Sequence, residues 1–163
     1  MEERTGEAEE TVSAPMNLLL ILLLQITPTQ KLQVITAANK LMPGITWKED
    51  SVVIGDFTCR GRTERAIVGL GHSEAAFPYA ILAVFLDGLD KQPELIRDSV
   101  HIAANVKLTT ESLDYDPQQE TGVPIEGFQR SKTCKGLNLA DDNTDSLHIY
   151  WNHSFRSFDL WRR

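Results

Sequence analysis

Several groups of residues in this chain have the types and spacing to do chemistry. Residues 55–70 read GDFTCRGRTERAIVGL. Asp56, Thr58, Arg60, Gly61 and Glu64 fall on the first, third, fifth, sixth and ninth positions of a calcium loop, in which alternate side chains supply oxygen ligands and a glycine makes the sharp turn. Arg60 breaks that set, because a guanidinium has no acceptor and stays protonated. Asp56 and Glu64 alone are too few carboxylates for a hard cation. Arg60 can instead act as a fixed cation that bridges them through its fork of N–H groups. The expectation is a metal-free structural turn.

A second oxygen-rich run, Asp141, Asn143 and Asp145, has Ser146 where the glycine belongs and Asn152 where a closing glutamate belongs. A tight polar turn is the plainer reading. Gly71-His72-Ser73-Glu74-Ala75 nearly matches the G-x-S-x-G nucleophile elbow. Ser73 would be the nucleophile, with Asp87 or Asp114 and His148 or His153 as partners. Pro78 falls where the helix after an elbow should continue, and too little chain follows for the usual hydrolase sheet. A turn between two strands is therefore expected there, with a serine hydrolase kept as an alternative. His148 and His153 are five apart across a turn, a spacing open to metal pairing but more ordinary for a surface turn. His72 and His101 stand alone.

The two cysteines, Cys59 and Cys134, are 75 positions apart and lack the clustering of a zinc motif. An even count in an exported chain favours one disulfide, and two buried free thiols are the alternative. Tyr150, Trp151, Phe155, Phe158 and Trp161 make the C-terminal end aromatic. In a two-stranded ribbon half of these face the core. The others, with Tyr150, Trp151, Phe155 and Trp161 as candidates, would form a patch for a protein partner.

The elements that must position these residues follow from pattern. The chain has 163 residues, with 23 Asp plus Glu against 16 Lys plus Arg. Residues 1–15 hold five Glu and one Arg, so they carry −4 of the net −7. The remaining −3 argues against a nucleic-acid partner, which needs a basic face. Residues 1–15 lack apolar periodicity and are expected to be disordered. The apolar run 18–26 is too short to span a bilayer but suits the apolar core of a signal peptide. No Lys or Arg sits directly before it and no A-x-A site follows, and Met16 rather than Met1 is a second candidate start. These features point to a periplasmic or secreted protein, or a cytoplasmic one if residues 18–26 are not a signal. Residues 1–27 are thus a tail plus signal-like segment, and 28–163 one domain.

Thr27-Pro28-Thr29-Gln30 carries a capping box with proline at the first helical position. Leu32, Ile35, Ala38, Leu41 and Met42 recur at helical spacing until Pro43-Gly44 stops the helix. Short apolar segments then predict strands at 51–57, 64–70, 79–86, 94–99, 106–112, 147–151 and 155–161. Residues 114–136 read as a long loop, functional or pinned, with Cys134 as the pin. The fold class expected is α+β, with an N-terminal amphipathic helix packed on one curved, mainly antiparallel sheet of five to seven strands.

The pattern G-D-F-x-x-x-G-x-x-x-x-A-I-V at 55–68 resembles the FG-GAP (integrin-α-like, VCBS-type) loop, in which G-D-x-[DN]-x-D-G-x-x-D precedes an apolar strand. The closing YWNHSFRSFDLW is similar to the last hairpin of small exported bacterial proteins that carry a single such loop. That resemblance covers about a third of the chain and implies export without an assigned activity. The function expected is a non-enzymatic binding or envelope-associated module without a cofactor. An inhibitor or immunity-type protein that caps a partner enzyme is the alternative.

Overall fold

A computed structural model describes residues 26–72, 78–98, 105–142 and 144–162 of the chain. The tail and signal-like run at 1–25, Ser73, His101 and Asn143 lie outside the described residues.

Helix α1 spans Pro28–Leu41. Its capping box forms as its sequence dictates: the Thr27 hydroxyl accepts from the Gln30 backbone N–H, and the Gln30 side chain accepts from that of Thr27. Its buried residues are Val34, Ala37 and Ala38. Of the expected face, Ala38 is buried and Ile35, Leu41 and Met42 pack partly buried on the same core, while Leu32 is 62% exposed and Val34 and Ala37 are buried in addition. Small alanines let the helix approach closely, and its face packs on Trp47, Val52, Ile67, Ile81, Ala83 and Phe85.

The strands follow as β1 Thr46–Trp47, β2 Val53–Gly55, β3 Glu64–His72, β4 Pro78–Phe85, β5 Glu94–Asp98, β6 Lys107–Leu113, β7 Ser131–Ala140, β8 Leu147–Asn152 and β9 Ser157–Arg162. A single turn of helix, α2, covers Gln118–Thr121. The α+β class holds, and all pairings are antiparallel. The strands divide between two sheets rather than forming one. The first has the order β1-β3-β4-β5 with β2 also on β3, and the second the order β6-β7-β8-β9.

The two sheets face each other across the main core. Ala66, Val68, Ala80, Leu82 and Val84 of the first meet Leu108, Leu137, Leu139, Leu147 and Ile149 of the second. Because α1 covers the opposite face of the first sheet, β4 is buried on both sides from Ala80 to Phe85. That burial explains its unbroken apolar run, since a strand covered on both faces has no reason to alternate.

The expected loop at 114–136 is shorter. Residues 131–140 form β7, so Cys134 lies in a strand. Alternation along β7 buries Leu137 and Leu139 toward the core and turns Gly136 and Asn138 outward. The rest of the segment folds across the outer face of the second sheet. Tyr115, Ile125 and Phe128 pack there on Leu113, Cys134, Tyr150 and Trp161. Arg130 Nε meets Asp114 Oδ1 at 2.6 Å and closes the neck. The Glu126 carbonyl accepts from Tyr150 Oη (3.1 Å) and Asn152 Nδ2 (3.0 Å), and Gly127 O accepts from His153 N. Gly127 has φ +70°, and a Cβ there would stand 1.8 Å from Asn152 Oδ1. The loop is pinned, by these contacts more than by Cys134 alone.

Candidate functional site

Two polar constellations sit on this scaffold. The first is the Asp56–Glu64 loop, which links β2 to β3. Glu64 is fully buried. Its Oε2 accepts from the backbone N–H of Phe57 (2.8 Å) and Thr58 (2.9 Å). Its Oε1 accepts from the Thr58 hydroxyl and from Arg60 Nη2 (3.1 Å). Asp56 takes the N–H of Arg60 on one oxygen (2.9 Å) and of Gly61 on the other (2.8 Å). Gly61 has φ +68°, as such a turn requires.

Both carboxylates are thus occupied by N–H and O–H donors from their own loop. Arg60 bridges Glu64 to Asp87 (3.6 Å) rather than to Asp56. The expected bridge is corrected because the backbone reaches Asp56 first, through a five-residue turn. Cys59 adopts φ +58° and forms the disulfide to Cys134. Lys135 N donates to Asp56 O at 3.0 Å. Covalent and hydrogen bonds together clip the loop onto β7.

The second constellation lies on the outer face of the second sheet, where the pinned loop ends. The register places Glu111 opposite Gly136, Asn138 opposite His148, and His148 opposite Trp161, so these side chains share one face. His148 Nδ1 lies 2.8 Å from Glu111 Oε2, and Asn138 Nδ2 reaches the same oxygen at 3.4 Å. The imidazole stacks on Trp161, with centroids 4.1 Å apart and planes 10° apart. Tyr115 tilts against Trp161 at 6.3 Å.

Burial pushes the Glu111 carboxyl above its ordinary range, against the lowering effect of its His148 contact. Burial, and then the charge of Glu111, push the Tyr115 phenol up. Tyr115 lies near enough to Glu111 and Trp161 to feel both. Glu111 Oε1, Tyr115 Oη and Trp161 Nε1 are buried together, with the Tyr115 hydroxyl in reach of both other groups though outside ideal hydrogen-bond geometry. At the rim, Thr144, Asp145, Ser146 and His148 line an open cleft of about 400 Å³.

The remaining candidates are placed as follows. Asp141 Oδ1 accepts from Thr144 N (2.9 Å) and Oγ1 (2.8 Å), a tight polar turn. Gly71-His72 ends β3 and Pro78 opens β4, which pairs back on β3. Ser73, the elbow nucleophile of the alternative reading, lies outside the described residues. Asp87 pairs with Arg60 and Arg62, and Asp114 with Arg130. His148 engages Glu111, and burial pushes the His153 imidazole down. Among the described residues, no three His, Cys, Asp or Glu stand together as a metal site.

The proposed aromatic patch is corrected: Tyr150 and Trp161 are buried beneath the pinned loop, Trp151 is half-buried against Phe158, and only Phe155 is well exposed, at 63%. Glu111, Asn138 and Tyr115 were not candidates from sequence. The alternation of Val106–Glu111 does place Glu111 on an outward position, which was the available signal. No described helix is long and apolar enough to cross a membrane. No family model matches the chain, and no curated protein or solved structure matches it either.

Proposed function

We propose that the chain is an exported, periplasmic or secreted module that binds a ligand through the outer face of its second sheet, without an enzymatic step or cofactor. The observation that carries this reading is the outer-face cluster in which Glu111 Oε2 lies 2.8 Å from His148 Nδ1 and the imidazole stacks on Trp161, so that a half-buried polar ring is held in one orientation. An imidazole oriented by a carboxylate and an aromatic ring is preorganised for a contact made at its exposed edge. Export is supported by the Cys59–Cys134 disulfide, since such bonds persist in oxidising compartments. The resemblance of residues 55–70 to a degenerate FG-GAP loop points the same way.

The test is expression of the full chain in a bacterium, followed by cell fractionation, N-terminal mapping by mass spectrometry and thiol alkylation. The expected product is extracytoplasmic, lacks the residues up to about 27, and has no thiol open to alkylation. A full-length cytoplasmic product with two free thiols refutes export.

One observation favours a second reading, an inhibitor or immunity-type protein. The pinned segment 114–130 presents Val123 at 61% exposure on a backbone held at both ends. A preorganised loop loses little entropy on docking. Recovery of one hydrolase in equal amount from a periplasmic pull-down, lost on Val123→Asp, would favour it.

A further inference from the structure

We propose that the free edge of β9 pairs with β9 of a second copy of this chain, antiparallel and centred on Leu160, so that two copies share one continuous sheet, each contributing its four strands. The inference goes beyond the ligand reading and stands without it. A sheet edge is a row of unpaired backbone groups, and chains that stay single blunt it with short strands, charges or proline. The edges of this fold are treated unequally. On the first sheet β1 and β2 are two and three residues long, and β5 follows Pro93 and carries Glu94, Arg97 and Asp98 among its five residues. On the second, β6 lies beside β2 and the turn at 49–51, and Lys48 Nζ donates to the Val106 carbonyl at 2.9 Å. Strand β9 spans six residues without proline or glycine, and among the described residues it pairs only with β8. Leu160 stands opposite the buried core residue Ile149, yet it is 42% exposed. Its backbone N–H donates to a side-chain oxygen, Asp159 Oδ1 at 2.8 Å, a contact that a further strand can replace.

The residues of β9 select the occupant and the register. Two identical antiparallel strands related by a two-fold axis have that axis perpendicular to the sheet, so one residue stands opposite itself. Centred on Asp159, the pairing sets two carboxylates face to face, and like charges directly opposite are destabilising. Centred on Leu160, the pairing overlaps residues 158–162 of both strands. Leu160 then meets Leu160, and Phe158 meets Arg162 of the second copy on both sides of the axis. These pairs share the core-side face, because Phe158 and Leu160 stand opposite Trp151 and Ile149. A guanidinium over an aromatic ring is attracted to it, so the row is self-complementary. On the other face Asp159 meets Trp161, and no like charges are opposed. Centred anywhere else, the strands overlap over 157–159 or 160–162 at most.

The experiment uses the whole chain as purified after expression, in analytical ultracentrifugation from micromolar to millimolar concentration, with hydrogen exchange followed along β9. The expected result is a mass that doubles as concentration rises and exchange along β9 that slows in step. Leu160→Lys sets two ammonium groups face to face on the axis and should raise the dimer dissociation constant at least about tenfold, with an unchanged melting temperature. Leu95→Lys is the matched control. Leu95 is equally exposed, at 42%, on the edge strand β5, and this variant should dimerise like the parent. If Leu160→Lys folds poorly, the exchange of the parent against concentration decides. A chain that stays monomeric throughout overturns the proposal. So does a dimer that survives Leu160→Lys or dissolves with Leu95→Lys, since its interface would lie elsewhere. Protection of β9 only when an extended peptide of another protein copurifies gives the edge to that partner, and likewise overturns the second copy.

Discussion

The Asp56–Glu64 loop fully buries a glutamate and the Glu111–His148 cluster half-buries one, and they treat it differently. Glu64 receives four donors, two on each oxygen. Glu111 is contacted by His148 and Asn138 on Oε2, while its buried Oε1 has no donor at good geometry and the Tyr115 hydroxyl stands nearby. A carboxylate saturated by its own loop has no valence left for a ligand, so the Glu64 site is architecture even though its sequence has a calcium-loop outline. Glu111 instead holds a half-buried imidazole in a fixed orientation, and that ring is the group of this cluster that reaches the surface. The motif-like stretch is thus the structural one, and the site proposed for binding sits where no motif exists.

The strongest way to break this comparison is to remove Glu64. In Glu64→Ala the N–H groups of Phe57 and Thr58 and the Thr58 hydroxyl lose their acceptor inside the protein, and Arg60 loses its partner. The expected cost is about 3–5 kcal/mol, read as a lower urea midpoint. A cost below about 1 kcal/mol would show that the loop is not the structural anchor its hydrogen bonds indicate.

Next in size is the link between the two regions. Cys59 belongs to the first loop, and Cys134 packs with Leu113, Tyr150 and Trp161 beneath the second cluster. Replacing both cysteines with serine opens a loop of 75 residues, for which the chain-entropy model predicts a loss of about 4 kcal/mol. If the bond only cross-links the unfolded chain, hydrogen exchange should rise uniformly. If it also holds the outer face, amides of segment 114–130 should exchange faster than those of β4.

A smaller effect tests the pinned segment. Asn152 donates to Glu126 O at 3.0 Å and accepts from the N–H groups of Ser154 (3.0 Å) and Phe155 (3.1 Å). Asn152→Ala should cost about 1–3 kcal/mol and raise exchange at 125–128 and 153–155. Exchange unchanged at 125–128 would show that the other pins suffice.

How much of this was legible in the sequence differs with range. Local signals were reliable: Thr27 and Gln30 predicted the α1 cap, and the apolar runs predicted β3 and β4. What depends on partners was not. Leu32 has the right spacing for a buried face, but only the position of the first sheet decides that Val34, Ala37 and Ala38 face it. Strand β7 was hidden because Ser131–Gly136 is polar and glycine-containing, and its outward positions carry Asn138 and Gly136 for the Glu111 cluster. Glu111 itself looks like any solvent-facing residue of an alternating strand. Its partner His148 is 37 positions away and its cover, Tyr115, belongs to a segment that reads as loop. A site assembled across four strands has no sequence spacing to recognise.

The smallest effect separates the two glutamates most directly. Burial raises the folded-state carboxyl pKa of Glu111 above 4.5. A raised acid means that the fold favours the protonated form. Its contribution is fully present below the unfolded-state value and is lost as pH rises through the folded one. Glu111→Gln mimics that protonated form: its amide oxygen can still accept from His148, and its N–H₂ can donate toward Tyr115 Oη. The variant should therefore match the parent near about pH 4 and exceed it near about pH 7, by no more than about 1 kcal/mol, measured as the difference in urea midpoints. Glu120 and His148 also act on Glu111, so the same series in a His148→Gln background isolates the carboxyl. A Glu111→Gln variant less stable than the parent near neutral pH would mean that the ionised carboxylate is a net support, and Glu111 would then belong with Glu64 as architecture.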